Sequence, residues 1–571
     1  MSGGGADSTR RIATAAALIA GLTVLTRFAG FVRTLVFAGA VGTTDLGDVY
    51  QTANTIPNII FEVVAGGALS VIVVPLLAHA VAAGDTRRVG AIASSLLTWT
   101  LVILVPLAAV VALLADPIVA LLAGDAGPAA TATGGHMLRI FATQLPLYGV
   151  GVVFTGVLHA HRRFTWPVLA PLLSSLTVIG AYAAFAAVEG PGTGLAQVSR
   201  AGVLILAVGT TLGVVVLTLC QLIPLRTLRL SWRPSLALGG ELRRRATSLA
   251  GAAVVTVAAQ QLATAYLIRL ANDGPDGTLV LFVLAQAVFL LPWAVLAVPL
   301  STPTFPVLAE AAATGDVARF DATLARATRA VLLASGLGVA GLVGLAQPLA
   351  VLLSAVTATH PSPATLAAAI VAFAPGLLGY ALFALLGRAL NAAGRARRAA
   401  IAAVVGWSAT AVAAVTLAVA APGLHRVVVL GAAMSVGMTV LGGACLLAVA
   451  LGPSVGDPGR TPGVWTGPPH TRAALKGVGT SLLVTLGGAA VAGSLGWATG
   501  HAFAGDQRGA VAVAPAFVGA VLAGVAVVVA FVTVTAVFDR RYVRESLVGV
   551  LRRRGETGAG LGMGRRDIDG G

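Results

Sequence analysis

The sequence predicts an all-α polytopic membrane protein of about 14 transmembrane helices: two pseudo-symmetric six-helix lobes followed by two extra C-terminal helices. Three observations predict it. Apolar runs of about 20 residues or longer, the span needed to cross ~30 Å of hydrocarbon, recur along the whole chain. Basic residues collect in every second connection between those runs. Two separate stretches repeat at nearly one shift. Composition agrees, since of 571 residues 57% are hydrophobic and only 10% charged, with a mean hydropathy of +0.93. A net charge of +16 would point a soluble chain toward nucleic acid. Here topology accounts for most of that charge, and no nucleic-acid partner is expected.

Spans are predicted near 12–42, 52–82, 90–122, 136–160, 165–188, 201–224, 247–271, 278–313, 328–356, 363–391, 399–421, 427–452, 475–500 and 510–537. Arg10 and Arg11 before an apolar stretch imitate a signal peptide. The stretch continues past Gly30 to about Gly42 without a clean cleavage site, so it reads as the first spanning helix. With the N-terminus inside, the inner connections and tails hold 29 of the 37 Lys and Arg. The outer ends hold five: Arg139, Arg200, Arg269, Arg426 and Arg508. Arg27, Arg33 and Arg388 lie within spans. Both termini are therefore expected on the cytoplasmic side of the membrane. Cys220 and Cys445 sit inside apolar runs with no CxxC or His-rich partner, so they read as packing residues rather than disulfide or zinc ligands.

The internal repeat fixes the larger plan. "VPLLAHAVAAGDTRR" from Val74 echoes "FPVLAEAAATGDVAR" from Phe305 at a shift of 231, and "FATQLPLYGVGVVFTGVLHA" from Phe141 echoes "FAPGLLGYALFALLGRALNA" from Phe373 at a shift of 232. Tyr148 then lies over Tyr380 and Leu158 over Leu390. The repeat is parallel, six spans plus six, a construction that places a transporter's substrate between its two halves. The resulting layout is an N-lobe at 1–224, a cytoplasmic interfacial connection at 225–246, a C-lobe at 247–452, a Pro/Gly-rich linker at 453–474, a helix pair at 475–538 and a basic tail at 539–571. That tail is expected to meet anionic membrane lipids. No P-loop, HExxH or GxSxG interrupts the plan, so a transporter rather than an enzyme is expected, with no cofactor.

"RFAGFVR" from Arg27, Asp48 nine residues before "PN" at Pro57 and Asn58, then "GALS", "VPLL" and "GVLHAHRRFTWPVLAPLL" resemble the MurJ/MviN family of lipid II flippases, a branch of the superfamily that includes MATE exporters. The resemblance covers nearly the whole chain, and its specific motifs lie in residues 27–77 and 156–173. It implies two lobes around a central cationic cavity, and two extra helices that form a lipid groove. It also implies alternating access that moves a polyprenyl-diphosphate sugar from the inner to the outer leaflet. Arg27 and Arg33 match the family's two first-helix arginines. With Asn58 and Glu62 they form the expected substrate site, and Asp48, Pro57 and Gly30 the expected gating positions. Asp45, Gln286 and Arg388 are further candidates.

Physical chemistry makes that site sensible. An intramembrane arginine costs roughly 2.5–3.5 kcal/mol on the insertion scale, so it faces a partner, a polar cavity or a ligand. A diphosphate needs fixed positive charge there, and guanidinium offers a planar fork of donors. Six residues of helix separate the two arginines by ~9 Å of rise and about 120° of rotation, so both border one wide cavity without gripping one oxygen. Glu62 is expected to pair with Arg33. With the first span ending near Gly42 and the second beginning near Ala53, both lie nine residues from the outer end, roughly 14 Å deep.

The chain departs from the family pattern at three places. Phe61 stands where a basic residue is usual, and "LAQAVFLLPW" at 284–293 has no arginine. Spans 7, 11 and 12 contain no Asp or Glu, so a sodium site is not supported, while dependence on membrane potential remains open. Lipid II or a related undecaprenyl- or decaprenyl-diphosphate intermediate is the leading substrate. The alternatives are another polyprenyl-linked glycolipid or amphipathic molecule, and a transport-inactive scaffold partnering cell-wall synthesis or division proteins.

Overall fold

The computed structural model describes residues 4–63, 70–236, 240–451, 477–504 and 512–538, and every regular element among them is a helix. The predicted linker 453–474 and tail 539–571 lie outside the described residues, as do positions 64–69 inside the second predicted span. Thirteen helical segments among the described residues are long and apolar enough to cross a membrane. The remaining predicted span, 52–82, falls on α2 (Asp45–Phe61) and α3 (Ser70–Ala82).

The chain opens with α1 (Gly4–Ala40), a single helix that continues through Gly30. A tight turn leads into α2, where Thr44 caps the helix by accepting from the Gly47 amide at 3.1 Å. Then follow α3, α4 (Thr86–Leu113), α5 (Ala115–Ala123), α6 (Gly127–Ala142), α7 (Gln144–Ala160), α8 (Thr165–Glu189), α9 (Arg200–Leu219) and the short α10 (Leu222–Arg226). The second half comprises α11 (Gly240–Asn272), α12 (Thr278–Pro292), α13 (Val298–Ser301), α14 (Thr304–Ala313), α15 (Val317–Gly344), α16 (Ala346–Val356), α17 (Pro363–Phe373), α18 (Gly376–Ala392), α19 (Ala396–Ala420) and α20 (Arg426–Ala450). Last come α21 (Val478–Ala504) and α22 (Val513–Phe538).

Several predicted spans are broken rather than continuous. The span expected over 90–122 divides at Leu114 and its repeat, 328–356, at Leu345, each just ahead of a proline, Pro117 and Pro348. The spans at 136–160 and 363–391 divide at Thr143 and at Ala374–Pro375. Proline lacks the amide a helix interior needs and crowds the preceding turn, while an apolar count alone sees no break. The span at 278–313 divides into α12, a π-helical turn at Trp293–Ala297, α13 and α14.

Local geometry repeats as closely as the sequence does. Asp85 and Asp316, one repeat apart, both adopt φ −80° and ψ 83° and cap α4 and α15 by accepting from Arg88 and Arg319. The glycine before each, Gly84 and Gly315, has φ +69°, a left-handed conformation that glycine adopts without a side-chain clash. Packing follows the same symmetry. α1 lies against α8, α11 lies against α19, and α8–α9 and α19–α20 are adjacent pairs. The terminal pair α21–α22 packs on α15 and α16 of the second half.

Candidate functional site

The two halves meet where the predicted outer ends of their helices converge, at the arginine-poor end of the molecule. Asp48, 8% exposed, accepts from the amides of Gly277 at 2.7 Å and Val280 at 3.0 Å. Its carboxylate thus sits at the N-terminus of α12, where free amides and the helix dipole favour negative charge. Beside it, Asn272 donates to the Thr52 hydroxyl at 2.9 Å and to the Leu122 carbonyl at 2.8 Å. Thr359 accepts from the Thr43 amide at 3.0 Å, and the two threonine hydroxyls lie 2.5 Å apart. Gly277 packs so closely on the Thr43 backbone that a side chain there would overlap it. This seam of polar contacts joins α1 and α2 to α11, α12 and the turn after α16.

Deeper along the same helices lies a second polar group. Arg27 and Glu62 are exposed, whereas Arg33, Asn58, Tyr148 and Tyr380 are half-buried. Arg33 and Glu62 both act electrostatically on the Tyr148 phenol, and Arg27 and Glu62 act on that of Tyr380. Glu62, just past the end of α2, is thus an electrostatic neighbour of tyrosines from both halves, inward of the point where α2 and α12 touch at Gly47 and Val280. Asn58 donates to the Asn54 carbonyl at 2.9 Å and accepts from the Tyr148 hydroxyl at 3.0 Å. Behind Arg33, Tyr50 is fully buried and hydrogen bonded to Tyr182 at 2.8 Å and Thr210 at 2.7 Å. Phe37 stacks on Tyr50 with ring centroids 5.0 Å apart. That network braces α1, α2, α8 and α9 beneath the arginine.

The expected Arg33–Glu62 pair does not form: no hydrogen bond or ion pair joins them. The second helix starts at Asp45 rather than Ala53, so residues of equal depth sum to about 85 and Arg33 is level with Thr52. Glu62 lies ten residues further along the chain, just past the end of α2 and roughly 15 Å deeper at 1.5 Å per residue, at a π-helical turn. Asn58, not Glu62, is level with an arginine, and that arginine is Arg27.

The other candidates separate. Asp45 accepts from the amides of Leu46 and Leu195 at 2.7 and 2.8 Å and so ties α2 to the loop before α9. Pro57 is buried within α2. Gln286 is half-buried and makes no side-chain hydrogen bond among the described residues. Arg388 donates to the hydroxyls of Ser301 at 2.8 Å and Thr302 at 3.4 Å rather than joining the central group. Tyr148, Tyr380, Trp293 and Asn272 were not candidates on sequence. The available signal was the repeat itself, which aligns Tyr148 with Tyr380 inside otherwise apolar spans.

A family model described as lipid II flippase MurJ matches residues 37–505. The chain is 26% identical over 384 residues to the lipid II flippase MurJ of Burkholderia cenocepacia, covering 64% of this chain and 71% of that protein. It is 27% identical over 219 residues to a probable lipid II flippase MurJ of Synechocystis sp., spanning 38% of this chain and 40% of that relative. Among solved structures, an inward closed conformation of lipid II flippase MurJ aligns with a TM-score of 0.70 at 16% identity, covering 92% of this chain and 99% of the other. An inward-facing multidrug resistance MATE family transporter of the MOP superfamily aligns with a TM-score of 0.61 at 16% identity, over 75% and 93%. At that identity the two structures speak for a shared fold.

Proposed function

The chain belongs to the lipid II flippase MurJ family, a family of multi-pass plasma-membrane transporters, and from that premise we propose that it carries a polyprenyl-diphosphate-linked saccharide of the lipid II class. Movement is from the inner to the outer leaflet by alternating access. The observation that carries this reading is a polar group of Arg27, Arg33, Asn58, Glu62 and Tyr148 on the inner stretches of α1, α2 and α7, while Asp48 joins the two lobes at their arginine-poor ends. A site so arranged takes up an anion from the arginine-rich side, the cytoplasmic side by the distribution of basic residues.

On this reading the lobes at 1–224 and 247–452 are the bodies that rock, and Asp48 with Thr43, Thr359 and Asn272 is the latch that parts. Arg27 and Arg33 neutralise the diphosphate at two depths as it advances. The membrane potential supplies the drive, because outward movement of an anion is favoured by ~2.3 kcal/mol per charge per 100 mV, inside negative. The decisive experiment replaces the sole lipid II flippase of a bacterial host with this chain. Growth with the native chain, and none with an Arg27→Ala/Arg33→Ala variant inserted at equal level, is expected. Equal growth with both refutes the anion site, and no growth with either refutes the substrate assignment.

A further inference from the structure

Inward of the seam, α2 and α12 both end on aromatic pairs that the internal repeat relates. Phe61 stacks on Tyr148 with ring centroids 4.6 Å apart and planes at 32°. Trp293 stacks on Tyr380 at 5.1 Å and 34°. Phe61 and Trp293 are 232 positions apart, and so are Tyr148 and Tyr380. Each pair also borders a π-helical turn, at residues 62–63 and at Trp293–Ala297. All four rings keep accessible surface although they lie in the middle of membrane-crossing segments. Trp293 and Tyr380 pack on the core of the second half with part of their surface and leave the rest free.

Charge and polarity narrow what covers them. Glu62 acts electrostatically on both tyrosines, and the Tyr148 hydroxyl is already engaged by Asn58. Leu290 replaces Asn58 in the second lobe, so the Tyr380 hydroxyl has no hydrogen-bond partner among the described residues. A ligand for these rings therefore presents weakly positive C–H faces to two π surfaces, and hydroxyl groups to a carboxylate and a phenol. A pyranose ring has that chemistry, with axial C–H groups on one face and hydroxyls at its edge. An acyl or polyprenyl chain lacks the hydroxyls, and a diphosphate lacks the apolar face.

We infer that the repeat-related pairs Phe61–Tyr148 and Trp293–Tyr380 are a two-sided saccharide platform, which selects the sugar of the lipid while Arg27 and Arg33 hold its diphosphate. Two stacking positions, one from each lobe, suit a headgroup of at least two sugar rings. A disaccharide spanning both also couples the lobes, since each contributes one face. The inference rests on the proposed function, and the test separates the two.

The purified chain in lipid nanodiscs is titrated with undecaprenyl diphosphate and with undecaprenyl diphosphate bearing a peptide-free N-acetylmuramyl–N-acetylglucosamine disaccharide. The wild type is expected to bind the disaccharide lipid about tenfold more tightly than the bare diphosphate. Phe61→Leu/Trp293→Leu is expected to abolish that preference with affinity for the bare diphosphate retained, whereas Arg33→Ala loses affinity for both. Tyr380→Phe, which keeps the ring and removes the hydroxyl, is expected to lose part of the preference and guards against a folding defect in the double variant. A wild type that binds both lipids equally, or a double variant that keeps the preference or loses both lipids alike, overturns the platform and leaves the anion site standing. A wild type that binds neither overturns the proposed function itself.

Discussion

Arg33 is half-buried, makes no ion pair among the described residues, and is backed by the Tyr50–Tyr182–Thr210 network rather than by a carboxylate. A guanidinium left uncompensated inside a membrane segment is costly unless a ligand or water meets it. Its removal should therefore ease insertion and abolish transport together. Arg33→Ala is expected to lower the transport rate in proteoliposomes at least about tenfold, with unchanged membrane yield, and Arg33→Lys to recover only part, because the charge remains and the planar fork does not. A fully active alanine variant would make the residue a packing element. Glu62 shows the limit of residue-level inference. Its chemistry was legible, but its partner depended on where α1 ends and α2 begins, and the observed turn leaves it roughly 15 Å, about half the hydrocarbon thickness, from the level of Arg33.

The same lesson holds for helices. Apolar length gave their number and order, while the breaks at Leu114, Thr143, Leu345 and Ala374 follow from prolines whose effect depends on local backbone geometry. Helix contacts depend on small residues that composition does not distinguish. α18 and α20 touch backbone to backbone, where a side chain on Gly442 would stand 2.6 Å from the Gly379 Cα and one on Gly379 would overlap the Met438 carbonyl. Such close approach is how helices gain dispersion energy in lipid, where burial of apolar surface gives little. Gly379→Ala is expected to force the helices apart and cost about 1–3 kcal/mol, seen as a lowered melting temperature in detergent. Gly443→Ala, one position from Gly442 but with open space around it, should leave the melting temperature unchanged. Equal effects at both would refute the close-packing account.

At the scale of the whole molecule the seam at the arginine-poor end joins the two lobes, and the proposed function makes it the latch. The Asp48 carboxylate bridges two amides of α12 across the lobes, and leaving those amides unpaired in a closed seam costs about 1–3 kcal/mol. Asp48→Ala should therefore shift the population toward the conformation open on that side. Spin labels at Asp125 and Leu424, in a background with Cys220 and Cys445 replaced by alanine, would report it. The variant is expected to gain a longer-distance population that the parent lacks, and identical distance distributions would exclude Asp48 as a latch. If the potential drives the stroke, transport in proteoliposomes should rise several-fold when a diffusion potential of about 100 mV, negative on the side of the arginine-rich loops, is imposed. Transport indifferent to that potential would exclude it as the energy source.

By itself the sequence determined class, span order, the repeat and the two first-helix arginines, because each rests on a local or periodic property: apolar length, charge bias, self-similarity, or an ion where ions are costly. Only the tertiary structure decided what those residues face. Asp48 meets Gly277 and Val280 from 229 and 232 positions away, Asn58 meets Tyr148 across 90, and Phe61 finds its stacking partner on α7 and not on its own hairpin. Contacts of that range follow from how two similar halves are set against each other. A pattern with a period of a few residues contains no term for that rigid-body placement.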